Sequence, residues 1–138
     1  MQKLYISSTP STPEINFSPE ENIFMIKGKS SPEDVREMYY PVVEWIRSFT
    51  NIILCGENKI YTSENPLKFQ TDLIYFDSSS AKFLYDIFIE LKKLSQSGNH
   101  IVIEWFYEEG DLDLKEAGYD IALLAEMDFT FIPKKSIV

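Results

Sequence analysis

The chain has 138 residues, 44% of them hydrophobic and 14% aromatic, which is enough apolar material for one domain with its own core and too much for a disordered chain. Its net charge of −9, from 22 acidic and 13 basic residues, argues against a nucleic-acid binder and against attraction to an anionic membrane. The same charge suits a partner with a basic face, because acidic surfaces steer such partners at long range.

Residues 3–7, KLYIS, read as a short edge strand or an ordered arm, followed by a Pro-, Ser- and Thr-rich loop from Ser8 to Glu14. Ile15 and Phe17, then Phe24 and Ile26, alternate with polar residues around the turn SPEEN, the pattern of a hairpin with one buried face. A first helix follows in SSPEDVREMYYPVVEWIRSF. Ser31 is its expected cap, Pro32 its first helical residue, and Glu33 and Asp34 suit its positive end. Val35, Met38, Tyr39, Val42, Ile46 and Phe49 recur at helical spacing as its buried stripe, and Pro41 inside that stripe predicts a kink or a break.

Residues 50–66 stay open between helix, strand and loop, with ENKIYTSENP reading as loop. The one cysteine, Cys55, excludes an internal disulfide and is expected to be buried beside Ile52, Ile53 and Leu54. LKFQTDLIYFD then alternates, but ends apolar on both faces, which predicts a central strand covered on both sides.

A second helix runs through SSSAKFLYDIFIELKKLSQSG, with Ala81, Leu84, Phe88 and Leu91 as its stripe, Phe83, Ile87 and Leu94 widening it, and Gly98 as its stop. HIVIEWFY reads as a buried strand, EEGDLD as an acidic loop, and LKEAGYDIALLAEM as a third helix with Leu114, Ala117, Ile121 and Leu124 inward. DFTFIP closes as a strand. Helices between the later strands require crossovers, so the fold class is α/β with a mixed sheet and about three main helices.

The chain offers little for catalysis. His100 is the only histidine and opens an apolar strand, where a structural role is the ordinary one; one His and one Cys make no zinc site. The five glycines are isolated, so no phosphate-cradling loop is present. Glu108, Glu109, Asp111, Asp113 and Glu116 cluster in and after the acidic loop. Their spacing does not match an EF-hand, and a basic patch on a partner suits them better than a divalent ion. No metal, cofactor or catalytic residue is expected. The first residues lack a basic segment leading into an apolar run, and no stretch reaches the roughly 18 apolar residues that span a bilayer. The expectation is a soluble cytoplasmic protein of a reducing, bacterium-like compartment.

Asp77 or Ser78 is placed to cap the second helix. That position has a second use. A phosphoryl group at a helix N-terminus meets free N–H groups and the positive dipole end, and adds about −1.5 to −2 charges at pH 7. The residues allow a phosphoswitch without demonstrating one.

Four stretches carry a resemblance: STPEINF (Ser11 to Phe17), IKGKSSPEDVREMYYPVVEWI (Ile26 to Ile46), LIYFDSSSAK (Leu73 to Lys82) and VIEWFYEEGDLDLKEAGYDIALL (Val102 to Leu124). In this order, covering nearly the whole chain, they resemble the SiaC family of bacterial regulatory phosphoproteins, whose fold is similar to the STAS domains of anti-sigma factor antagonists. The resemblance implies one SiaC-like, STAS-like regulatory domain over residues 1–138 that is not an enzyme. It places the phosphorylated residue on Ser78, with Ser79 and Ser80 as alternatives, and departs from the family's frequent Asn-Thr pair with Asp77-Ser78. It implies a serine/threonine protein kinase and a metal-dependent protein phosphatase acting on the switch. The unphosphorylated form would bind a diguanylate cyclase or another effector, in cyclic-di-GMP and biofilm signalling by partner switching. Asp77, Ser78, Ser79, Ser80, Lys82, Glu108, Glu109 and Asp111 are the expected partner-binding residues. Two other readings stand beside this one: a small divalent-metal-dependent enzyme using the acidic loop, and a constitutive interaction subunit in which the serines only cap a helix.

Overall fold

In the computed structural model, which describes residues 1–56 and 59–135, the alternating N-terminal residues form β1 (Leu4–Ile6), β2 (Glu14–Ser18) and β3 (Ile23–Ser30). These three strands pair antiparallel in sequence order, with Ile15 opposite Ile26 and Phe17 opposite Phe24, so that all four side chains share one buried face. From β3 onward the chain alternates: α1 (Val35–Cys55), β4 (Leu67–Phe76), α2 (Ser78–Gln96), β5 (Ile101–Glu108), α3 (Leu112–Ala125) and β6 (Phe129–Lys134). The sheet order is β1-β2-β3-β4-β5-β6, with β3 to β6 parallel. Each crossover steps in the same direction, and the right-handed sense of such connections puts all three helices on one side.

The core lies between that side and the helices. Phe69, Ile103 and Trp105 from the central strands meet Val42, Ile46 and Phe49 of α1, Leu84, Ile87 and Phe88 of α2, and Leu114 and Ile121 of α3. The α3 layer is held close by Gly118: a Cβ there would stand 2.6 Å from the Trp105 ring. The opposite sheet face carries Met25, Gln70, Glu104, Phe106 and Ile132, all only half-buried, with Gln70 donating to Glu104 at 3.0 Å.

The expected mixed sheet and three helices are found, and several local expectations are corrected. Asp34, not Ser31, caps α1 by accepting from the Glu37 N–H, and the helix begins at Val35 rather than Pro32. Ser31 is still tied to the N-terminal loop, its N–H donating to the Ser11 carbonyl. The helix runs through Pro41 without a break and continues to Cys55, and Cys55 is exposed. Continued helical phase turns Ile53 inward and leaves Ile52 and Cys55 outside. Leu124 is 70% exposed, because α3 buries Gly118, Ala122 and Ala125 instead, the small residues that allow its approach. β5 is buried only at alternate residues. β4 is central, but its end is not covered on both sides, since Ile74 and Tyr75 are exposed. The loop reading of ENKIYTSENP falls at residues 57 and 58 outside the described residues.

Candidate functional site

The serines sit where the fold brings three element ends together. β3 and β4 run parallel, with an irregularity between Gly28 and Lys29 that leaves Ile74 as an extra residue in β4. Gly28, at φ +120, takes a backbone conformation that a side chain would resist. Past this point Ser30 pairs with Phe76, and the Asp77 N–H donates to the Ser30 carbonyl at 3.0 Å. The corner before α2 is thereby pinned to the end of β3.

Asp77 is the cap. Its Oδ1 accepts from the Ser80 N–H at 2.8 Å and from the Ser79 hydroxyl at 3.0 Å. Partial burial works to raise its pKa, but the hydrogen bonds from Ser80 and Ser79 outweigh it and hold the carboxyl below its ordinary value. The sign follows directly. The capped, ionised form is favoured in the folded state, so its stabilisation is present above about pH 4 and is lost as pH falls through the lower folded pKa. Asp77→Ala is expected to cost about 1 kcal/mol and about 3 °C in unfolding midpoint at neutral pH. Thermal melts across pH should show that deficit shrinking towards zero below about pH 4; a deficit that stays constant into acid contradicts the assignment.

The three serines differ. Ser78 is the first residue of α2 and is exposed, as is Ser79, whose hydroxyl is engaged by Asp77. Ser80 is fully buried. Its Oγ donates to the Ser30 carbonyl at 3.2 Å and accepts from the Ser30 hydroxyl at 2.9 Å, while Ser30 meets the Tyr39 hydroxyl at 2.6 Å. Burial pushes the Tyr39 phenol up against the opposing hydrogen bonds of Ser30 and Ser80, so it is neutral at pH 7. This buried hydroxyl chain joins α1, β3 and α2 beneath the exposed corner. Sequence reasoning missed it, because Ser30 and Tyr39 belong to a strand end and a helix stripe with no shared motif.

Lys82, one turn beyond Ser78, is exposed, ion-paired to Asp86 at 3.2 Å and 4.9 Å from the Phe83 ring centroid. Lys29 lies 5.8 Å from the Tyr75 ring centroid. Ser78 is thus set between Asp77 and Lys82 along the chain, with Lys29 over the ring of Tyr75 at the end of β4. The acidic loop lies at the end of β5, and its Asp111, with Asp113 just beyond, lines a cleft shared with Ile74, Tyr75 and Phe76 at the end of β4. Glu108 and Glu109 are exposed, and the Glu109 N–H donates to the Lys134 carbonyl at 2.7 Å. Asp111 caps α3 by accepting from the Leu114 N–H. Among the described residues, no three His, Cys, Asp or Glu side chains are placed to hold a metal ion. His100 is exposed just before β5, its backbone joining Leu67 and Tyr61. No helix among the described residues is long and apolar enough to cross a membrane.

Comparison with known proteins gives this architecture relatives. SiaC of Pseudomonas aeruginosa superposes with a TM-score of 0.74 at 26% identity, covering 99% of this chain and 100% of that one. The SiaC chain in the crystal structure of the P. aeruginosa diguanylate cyclase SiaD in complex with its activator SiaC superposes with a TM-score of 0.77 at 25% identity, covering 96% of this chain and 99% of that one. A P. aeruginosa protein described as uncharacterized is 28% identical over 108 residues, which is 78% of each chain. The sequence profile of the SiaC family regulatory phosphoproteins matches residues 6–134. The chain belongs to the SiaC family of regulatory phosphoproteins.

Proposed function

We infer that this protein is a non-catalytic signalling adaptor whose switch is Ser78. A serine/threonine protein kinase phosphorylates it, a metal-dependent protein phosphatase restores it, and the unphosphorylated form binds and activates a diguanylate cyclase. The observation that carries the reading is the exposed Ser78 hydroxyl on the first residue of α2, beside a capped and pinned corner. A phosphoryl group there meets the first-turn N–H groups and the positive end of a 19-residue helix. The domain bears the new charge without unfolding. Ser80 is passed over because its hydroxyl is enclosed and spent on Ser30. Ser79 ranks second because its hydroxyl already donates to Asp77.

Cyclase activation comes from the relative: the SiaC that resembles this chain is the activator of SiaD. The cap and the switch do not compete, since Asp77 supplies the cap and leaves the Ser78 hydroxyl outward. The test is site mapping by mass spectrometry after incubation with the cognate kinase. Wild type should take one phosphoryl group, on Ser78, and Ser78→Ala none. A fully labelled Ser78→Ala protein overturns the assignment.

A further inference from the structure

We propose that the cleft between the diverging ends of β4 and β5 is the anchoring pocket for the effector. It would take an apolar side chain from a partner surface that is basic on one side of that anchor and acidic or neutral on the other. This rests on the reading of Ser78 as the switch, and it names the surface and the partner chemistry that the switch controls.

The cleft follows from the ladders. β4 pairs with β5 only as far as Thr71 and Trp105, whereas β3 follows β4 to Phe76 and β6 follows β5 to Glu108. The last residues of β4 therefore leave β5, and the first turn of α3 stands across the gap. The result is a cavity of about 350 Å³ with half-buried Phe76 and Ala117 and buried Leu114 in its lining. Ile74 and Tyr75 stand exposed at its lip. Two neighbouring large apolar residues at a concave site, outside the core, are the form a docking pocket takes.

Charge fixes the occupant. One wall of the cleft carries Asp111 and Asp113 and, among the described residues, no cation. Glu108 lies beyond Asp111 in the adjoining hollow, where Lys134, ion-paired to Asp72, and Lys135 stand with it. Four residues along the chain from Ile74 at the lip is Ser78, with Asp77 before it and Lys82, ion-paired to Asp86, one turn beyond it. A complementary partner sets Lys or Arg against the carboxylates and a carboxylate or neutral polar group over the serine corner. A dianion on Ser78 would meet that second group, and would have to shed its water under the docked partner. A second copy of this chain is a poor occupant, because it brings the same acidic rim and carries the same net charge of −9.

The test is calorimetry with a SiaD-like diguanylate cyclase of the same organism, using full-length unphosphorylated protein. Ile74→Asp should weaken binding by about 30-fold, the loss expected of a central apolar anchor. Asp113→Lys should weaken it by about 10-fold and flatten its salt dependence. Leu123→Asp, at the exposed far end of α3 and about 16 Å from its start, should bind as wild type. All three positions are exposed, so the midpoint of Ile74→Asp should stay at the wild-type value. Asp113→Lys and Leu123→Asp, which set charges against the dipole of α3, should each lose about 3 °C or less and remain folded at the temperature of the titration. Wild-type affinity in Ile74→Asp, or an equal loss in Leu123→Asp, overturns the cleft while leaving the switch standing. No binding by wild type overturns the cyclase reading itself and the pocket with it.

Discussion

Ser78→Asp is expected to weaken cyclase binding by about 10-fold, and full phosphorylation of Ser78 by about 100-fold or more. The difference is one of charge and size. An aspartate adds one negative charge on a short side chain, whereas a phosphoserine adds nearly two at pH 7 on a longer one. Like-charge contact across an interface costs several kcal/mol, and each 1.4 kcal/mol is a factor of ten in affinity. The exposed position of Ser78 keeps this cost in the complex rather than in the fold. The unfolding midpoint of Ser78→Asp should therefore match or exceed wild type, since an anionic residue at the start of a helix is favoured by the dipole. Ser78→Ala should bind as wild type and be blind to the kinase. Binding of Ser78→Asp at wild-type strength, together with retained binding after phosphorylation, would favour a constitutive subunit in which these serines only shape a helix start.

The largest effect on stability is expected at Trp105. It is buried, its ring meets Phe76 at 5.7 Å and Phe129 at 6.0 Å, and its Nε1 donates to the Leu114 carbonyl at 3.1 Å. Gly118 is the residue it forbids a side chain. Trp105→Ala removes this ring from between the sheet and α3, at a cost of about 4 kcal/mol. That corresponds to a fall in unfolding midpoint on the order of 12 °C. Trp105→Phe should recover most of it, forfeiting chiefly the hydrogen bond to Leu114. Thermal unfolding followed by circular dichroism gives both values, and a loss below about 1 kcal/mol for Trp105→Ala contradicts the packing described. Because Leu114 and Ala117 line the cleft, the Ala variant should also bind the cyclase more weakly than its folded fraction accounts for.

Much of this was legible from local periodicity. The alternation of Ile15, Phe17, Phe24 and Ile26 is the hairpin, and the stripe of Leu84, Ile87, Phe88 and Leu91 is the inner face of α2. What periodicity does not carry is which faces find cover. The apolar end of β4 and the continuous apolar run of β5 predict burial on both sides, yet every crossover falls on one side of the sheet. Ile74 is exposed because a shift in register beside Gly28 adds a residue to β4, and no pattern of side chains announces that. The α1 cap was missed because Ser31 and Asp34 both suit the position, and a tertiary hydrogen bond from Ser31 to Ser11 decides between them. At the candidate site, the Asp-Ser-Ser-Ser run pointed to a helix start without ranking the hydroxyls. The family resemblance puts Ser78 first, and the geometry supports that order: Ser80 is buried against Ser30, the Ser79 hydroxyl is held by Asp77, and Ser78 is exposed.

The most direct measurement titrates the cyclase, by calorimetry, into wild type and Ser78→Ala after both have been treated with the kinase to completion. Treated wild type should lose at least about 100-fold in affinity, through charge repulsion and the desolvation of the phosphoryl group, while treated Ser78→Ala binds as the untreated protein does. Equal loss in both proteins, or no loss in wild type carrying a full phosphoryl group, would contradict Ser78 as the switch.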